Sequence, residues 1–178
     1  METLGKAMVC FCVVTCMMFC VLGVVSDYQY NKQIASYWHI ADKCSTLSKK
    51  SEYLDKFVDA LDSGNFKGRH NSVFFKTPDN SFDNNFIAVL SLKTRLHEIS
   101  KMSPISFEYQ TAIQQITAQE QGEAKEMLHV FKGVWYSVNY TLLWDVYLWL
   151  MILLEILILG LGLKLININW DPIDILIL

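Results

Sequence analysis

Between Leu142 and Leu163 the chain runs almost without polar groups, interrupted only by Asp145 and Glu155 among charged residues. At about 1.5 Å of rise per residue this stretch makes roughly 33 Å of helix, enough to cross the hydrocarbon core of a bilayer. A second run, Ala7–Val25, has no charge at all. Its roughly 19 residues reach about 28 Å. Lys6 precedes it and Asp27 follows it. Val24 and Ser26 would suit the −3 and −1 positions of a signal-peptide cleavage site, but the run is longer than a typical apolar signal region and lacks a strongly basic start. It reads as an uncleaved anchor. A chain of 178 residues then has room for one modest domain besides two membrane segments.

The stretch Ser103–Leu165 organises the rest. Ser103 suits an N-cap, and Pro104 fits the first helical turn, where its missing N–H costs nothing. Apolar residues recur at helical spacing through Ile113, Ile116, Ala124, Met127, Leu128, Phe131, Trp135 and Val138. From Thr141 the polar face disappears. With no proline between Ile105 and Asp171, the sequence predicts one rod that nothing local breaks at the membrane surface.

The middle of the chain is helical by the same criterion. Ile34, Tyr37, Trp38, Ala41, Cys44, Leu47, Leu54, Phe57, Val58 and Leu61 follow steps of three and four, predicting one long helix over Asp27–Leu61 that continues from the first apolar run. The phase slips near Ser48–Ser51, where a bend is expected, and Gly64 can end the helix. Cys44, on the apolar stripe, is expected as a buried thiol. Residues 63–85 are irregular, marked by Gly64, Gly68, Pro78 and several Asn and Asp, with Phe66, Phe74, Phe75 and Phe82 available to pack the loop on itself. Asp83 or Asn84 can cap a helix Phe86–Ile99 whose apolar face is Phe86, Val89, Leu90, Leu92, Leu96 and Ile99. A turn at Lys101–Ser103 leads into the long rod. The expected fold is all-α: two transmembrane helices flanking an extracytoplasmic bundle or hairpin of about three helices. The segments are an anchor over 1–26, the helical domain over 27–140, the second span over 141–165, and a short apolar tail over 166–178.

Apolar types make up 52% of the chain and charged types 19%, with the apolar excess at the two ends. The net charge of −3 and the absence of a basic, aromatic-interleaved patch argue against a nucleic-acid partner. Residues 26–140 carry Lys and Arg in equal number to Asp and Glu, a balanced solvated surface. Lys6 and Lys164 flank the apolar runs, and Asp27 and Asp145 lie at their other ends, so the positive-inside rule places both termini in the cytoplasm and the middle domain outside. Trp135, Tyr136, Tyr140, Trp144, Tyr147 and Trp149 crowd the outer end of the second run, as an aromatic belt does.

Four of the five cysteines lie in the first apolar run. Cys12, Cys16 and Cys20 at i, i+4, i+8 share a stripe that reads as small residues at a helix–helix contact. Cys44 is alone in the middle segment, so no internal disulfide is available there. His39, His70, His97 and His129 lack ligand spacing, and no cofactor or metal is expected. Asp79–Asn84 resembles the start of a calcium loop but has Asn84 where that loop needs Gly and Leu90 where it needs Glu, which leaves turn and capping chemistry. No G-x-S-x-G or phosphate-binding glycine loop occurs, and no enzymatic activity is expected. Gly160-x-Gly162 is not the four-residue small-residue dimer pattern.

Glu155 stands out. An acid near mid-bilayer costs at least about 2.5–3.5 kcal/mol on insertion scales. It either pairs with a group on another chain or stays neutral and hydrogen-bonds a neighbouring helix. The first run offers only Thr15 and thiols as polar groups, which can hydrogen-bond a protonated acid but cannot neutralise a carboxylate, so a basic or polar partner for a charged Glu155 is expected on another chain. Glu155, Asp145, Trp144, Trp149 and Trp170 are therefore the candidate partner-binding residues. His70, Phe74, Phe75, Asp79 and Asp83 are the candidate ligand-loop residues. The layout of span, helices and span is similar to the helical sensor domains of bacterial chemoreceptors and kinases, without a shared motif, and only residues 166–178 follow the second span where a signalling module would sit. The resulting expectation is a non-catalytic membrane protein in contact with the lipid bilayer. It acts as an accessory subunit or assembly factor beside other membrane subunits or copies of itself. The alternative is a ligand-binding sensor that signals through a separate partner.

Overall fold

A computed structural model describes residues 2–103 and 106–166, apart from the side chains of 108, 113 and 115–125. Six α-helices account for most of the described residues: α1 (Glu2–Tyr30), α2 (Ser36–Lys43), α3 (Leu47–Ser63), α4 (Phe82–Ser100), α5 (Phe107–Asn139) and α6 (Asp145–Leu165). Among the described residues no strand forms; His70 and Ser81 make an isolated antiparallel bridge. The chain divides into two compact units. One holds the described residues up to Val25 and those from Asp145 on; the other is Ser26–Trp144.

In the first unit the apolar part of α1 pairs with α6, and both helices are long and apolar enough to cross a membrane. Residues withdrawn from solvent in α1 include Gly5, Met8, Cys12, Thr15, Phe19 and Leu22; in α6 they include Leu148, Met151, Glu155, Ile158, Gly162 and Leu165. Both sets step by three and four, the heptad spacing that keeps one seam against a partner helix. Gly5 faces Gly162 and Cys12 faces Glu155, so the helices run antiparallel. A Cβ on Gly5 would lie 2.7 Å from the Gly162 carbonyl oxygen, which is why this end of the seam tolerates only glycine. Gly160 has nothing within 4 Å of its would-be Cβ. The heptad also corrects the expected cysteine stripe: Cys12 is buried in the seam, whereas Cys16 and Cys20, on an i+4 progression that drifts off it, are exposed.

The second unit is a helical bundle. A π-helical turn at Asn31–Ala35 joins α1 to α2 without a break. Its wider turn re-phases the buried stripe, which passes from steps of three and four to Ser26, Tyr30, Ile34 and Trp38. The single helix expected over Asp27–Leu61 instead ends at Lys43. Cys44 is extended at φ −70°, ψ 128°, Thr46 is extended too, and α3 starts at Leu47, so the chain folds back on itself. The expected bend thus falls a turn early, at 44–46, and Cys44 is half-buried at the corner rather than buried between helices. α3 ends at Gly64, as expected. The bundle therefore has one helix more than foreseen.

α4 begins at Phe82, with Ser81 rather than Asp83 or Asn84 at the N-cap, because Phe82 is needed inside: it is fully buried against Phe66, Phe86 and Phe131. Leu90, assigned to its apolar face, points outward instead. α5 is capped by Ser106, whose Oγ accepts from the Tyr109 N–H at 3.2 Å, in place of Ser103. Pro104 and the side chains of Ile113, Ile116 and Ala124 lie outside the described residues. Trp38, Phe57 and Phe131 form the centre of the core with edge-on ring contacts, and Leu54, Leu61, Val89, Leu96 and Val134 fill around them.

α5 does not run on into α6. It stops at Asn139, a 3-10 turn covers Thr141–Leu143, and Asp145 opens α6 at φ +42°. The unbroken rod is thereby corrected. Tyr140 holds the stop: its hydroxyl donates to Gln29 Oε1 at 2.8 Å while its ring leans on Trp135 and Tyr136. Tertiary contacts, and no proline, break the helix.

Candidate functional site

Glu155 occupies the middle of the α1–α6 seam. Its Oε1 is hydrogen-bonded to the Thr15 hydroxyl, and its backbone carbonyl accepts from the Cys12 thiol at 3.8 Å. Its other oxygen, Oε2, is buried with no hydrogen-bond partner among the described residues. Of the two readings of Glu155, the contact present is the one to a neighbouring helix of the same chain, through Thr15. The Thr15 oxygen also lies 3.0 Å from the carbonyls of Phe11 and Cys12. One hydroxyl proton cannot serve three acceptors. Glu155 Oε1 therefore competes for the Thr15 proton with the carbonyls of its own helix. Chemically the site can lock the register of two apolar helices, the best-attested use of a buried polar group.

The other candidate partner residues are dispersed. Asp145 is the first residue of α6, and Trp149, one turn on, is exposed. Trp144 is half-buried in the Ser26–Trp144 unit, where its ring and the Asn71 side-chain amide close on Gly133 and leave no room for a Cβ. Trp170 lies outside the described residues.

A polar cluster that the sequence did not announce ties the start of the bundle to the end of α5. The Ser26 hydroxyl, fully buried, donates to Tyr136 Oη at 2.9 Å. Tyr136 donates to Asp27 Oδ1 at 2.8 Å, and Lys132 pairs with the same oxygen at 2.6 Å. The Lys132 ammonium holds the Asp27 carboxyl below the usual carboxylate range; burial, the next largest effect, opposes it, and the Tyr136 hydroxyl adds to it. Burial, and then the bond to Asp27, raise the Tyr136 hydroxyl. Tyr30 donates to the Leu128 carbonyl at 3.1 Å, and burial pushes its hydroxyl well above the ordinary tyrosine value. Only the i, i+4, i+8 spacing of Lys132, Tyr136 and Tyr140, with Gln29 close to Asp27, hinted at these contacts.

Of the candidate loop residues, His70 and Asp83 brace the loop. His70 Nδ1 meets Asn80 Oδ1 at 2.9 Å. Asp83 accepts from the Gly68 N–H at 3.1–3.2 Å, supporting the positive φ of Gly68. Asn80 donates to the Phe75 carbonyl at 2.6 Å, and Asn71 reaches His129 of α5 at 3.1 Å. Asp79 lines a cleft of about 280 Å³ with Asn84, Asn85, Glu126 and Met127. Phe66 and Phe82 pack inward, but Phe74 and Phe75 are 71% and 82% exposed, correcting the expectation that all four pack the loop. Elsewhere, Ser51 Oγ lies 2.6 Å from His97 Nδ1, and His97 Nε2 lies 3.6 Å from Asp55. This resembles a hydroxyl–imidazole–carboxylate relay in its order of groups; Ser51 is only 6% exposed, and the trio joins α3 to α4. Among the described residues no group of three or more His, Cys, Asp or Glu is placed to hold a metal ion.

No family model matches the chain, and neither the curated proteins nor the solved structures give a match.

Proposed function

We propose that this is a non-catalytic, two-span integral membrane protein that serves as an accessory subunit or assembly factor of a larger membrane complex. The apolar part of α1 and the whole of α6 cross the bilayer as an antiparallel pair. Both termini face the cytoplasm, and Ser26–Trp144 folds on the other side. The observation that carries this reading is the outer face of the pair: Val14, Val21, Val24, Leu153, Ile156, Leu157 and Leu161 are all more than half exposed. Apolar surface of that extent is matched by lipid rather than water. Lys6 and Lys164 support the orientation, and Trp149 and Tyr147, both exposed, suit the outer headgroup level. The non-catalytic part is supported by the seam, where Glu155 is engaged by its own chain, and by the burial of Ser51.

The test is purification from native membranes in mild detergent. A second protein at fixed ratio is the expected result; its absence would overturn the subunit role. A second reading, a ligand-binding sensor, is favoured by the cleft between Asp79 and Glu126, and would be supported by a self-contained protein that retains a small molecule lost on Asp79→Ala.

A further inference from the structure

Phe74 and Phe75 are the most exposed aromatics of the bundle's loop, yet the loop beneath them is firmly held. Asn80 bridges the Phe75 carbonyl and the Thr77 N–H, Asn71 bonds the Asn80 carbonyl at 2.8 Å through its backbone, and its side chain reaches His129. A rigid loop that presents two adjacent phenylalanines to solvent has a binding surface in place of a core. Its position indicates the occupant. The Asn71 side chain and the Trp144 ring meet over Gly133, and Trp144 is bonded directly to Asp145, the first residue of the apolar helix α6. On the membrane reading above, Trp144 lies at headgroup level, where indole rings concentrate. Phe75 is four residues from Asn71, within about 14 Å of extended chain. Lys76 follows, exposed, as a cation for lipid phosphates.

We propose that Val73–Phe75 is an interfacial foot, inserted into the leaflet that α6 enters, which fixes the bundle against the bilayer surface. This rests on the membrane assignment of α6. The test uses the full-length wild-type protein in phosphatidylcholine vesicles doped with a lipid that carries a diazirine near its headgroup. After irradiation, tryptic peptides are analysed by mass spectrometry. Adducts are expected on peptide 70–76 and on peptide 133–164, which contains α6, and not on peptide 44–49 at the α2–α3 corner. Replacing both phenylalanines (F74S with F75S) should cut labelling of 70–76 several-fold and leave 133–164 unchanged. Labelling of 133–164 with 70–76 at the level of 44–49 overturns the foot and leaves the membrane reading standing. Absence of labelling on 133–164 overturns both.

Discussion

The Tyr136 hydroxyl donates to Asp27 Oδ1 at 2.8 Å, joining the residue that follows the first apolar run to a helix 109 positions along the chain. Lys132 binds the same carboxylate oxygen, so a single acid is held from two successive turns of α5. Tyr136→Phe removes the bond to Asp27 and the acceptor for Ser26. We expect a loss of about 1–2 kcal/mol in chemical denaturation of the detergent-solubilised protein.

The same pair sets an acid dependence. The folded-state pKa of Asp27 is depressed, so its contribution is present above the unfolded value and is lost as pH falls through the folded one. Lys132→Met removes the largest cause of the depression. Melting temperature against pH should therefore fall less steeply below the ordinary carboxylate range in Lys132→Met than in wild type; parallel curves would show that the pair does not couple to folding.

In the seam, Thr15→Val takes away the hydrogen bond to the Glu155 side chain. Interhelical hydrogen bonds in membranes average about 0.6 kcal/mol and reach about 1.7 kcal/mol, and the cost is expected in that range. Glu155→Gln keeps an acceptor for Thr15 and should cost less. Recovery of co-purifying proteins should be the same for wild type and Glu155→Gln, because the acid is engaged within its own chain; selective loss of a partner in the Gln variant would return Glu155 to an intermolecular role.

Glycines of the apolar pair separate by position. Gly5→Val is expected to force the helices apart, since its Cβ meets the Gly162 carbonyl and the Ile166 and Leu165 side chains at 2.7–3.0 Å. Gly160→Val meets nothing and should be neutral. Oxidative crosslinking between cysteines introduced at Met8 and Ile158 reads the difference: yield drops for Gly5→Val and holds for Gly160→Val.

The helical class and the two apolar runs are legible in the sequence because length and periodicity alone carry them. The seam is not, because both runs are apolar on every face and give no phase. Its phase comes from the exceptions, Gly5, Thr15, Glu155 and Gly162, taken together across two distant segments. Cysteine spacing pointed to a different stripe because thiols are small enough to face lipid at no great cost. The two helix breaks were also hidden. Cys44–Thr46 lacks Gly and Pro, and Tyr140–Trp144 is broken by contacts to Gln29 and Trp135 that no local pattern records. Phe82 reads as loop because Asp83-Asn84 looks like a better cap, and its burial outweighs that preference. The side of the loop on which phenylalanines pack depends on the Asn80 staples, which are tertiary.

The central claim is that two crossings bring both ends of the apolar pair to one side and the bundle to the other. It is tested most directly by single cysteines at Glu2 and Lys76 in a protein lacking its native cysteines, labelled in intact cells with a membrane-impermeant thiol reagent and again after permeabilisation. The account predicts that position 76 labels in intact cells and position 2 only after permeabilisation. Labelling of both positions in intact cells, or of position 2 alone, would contradict it.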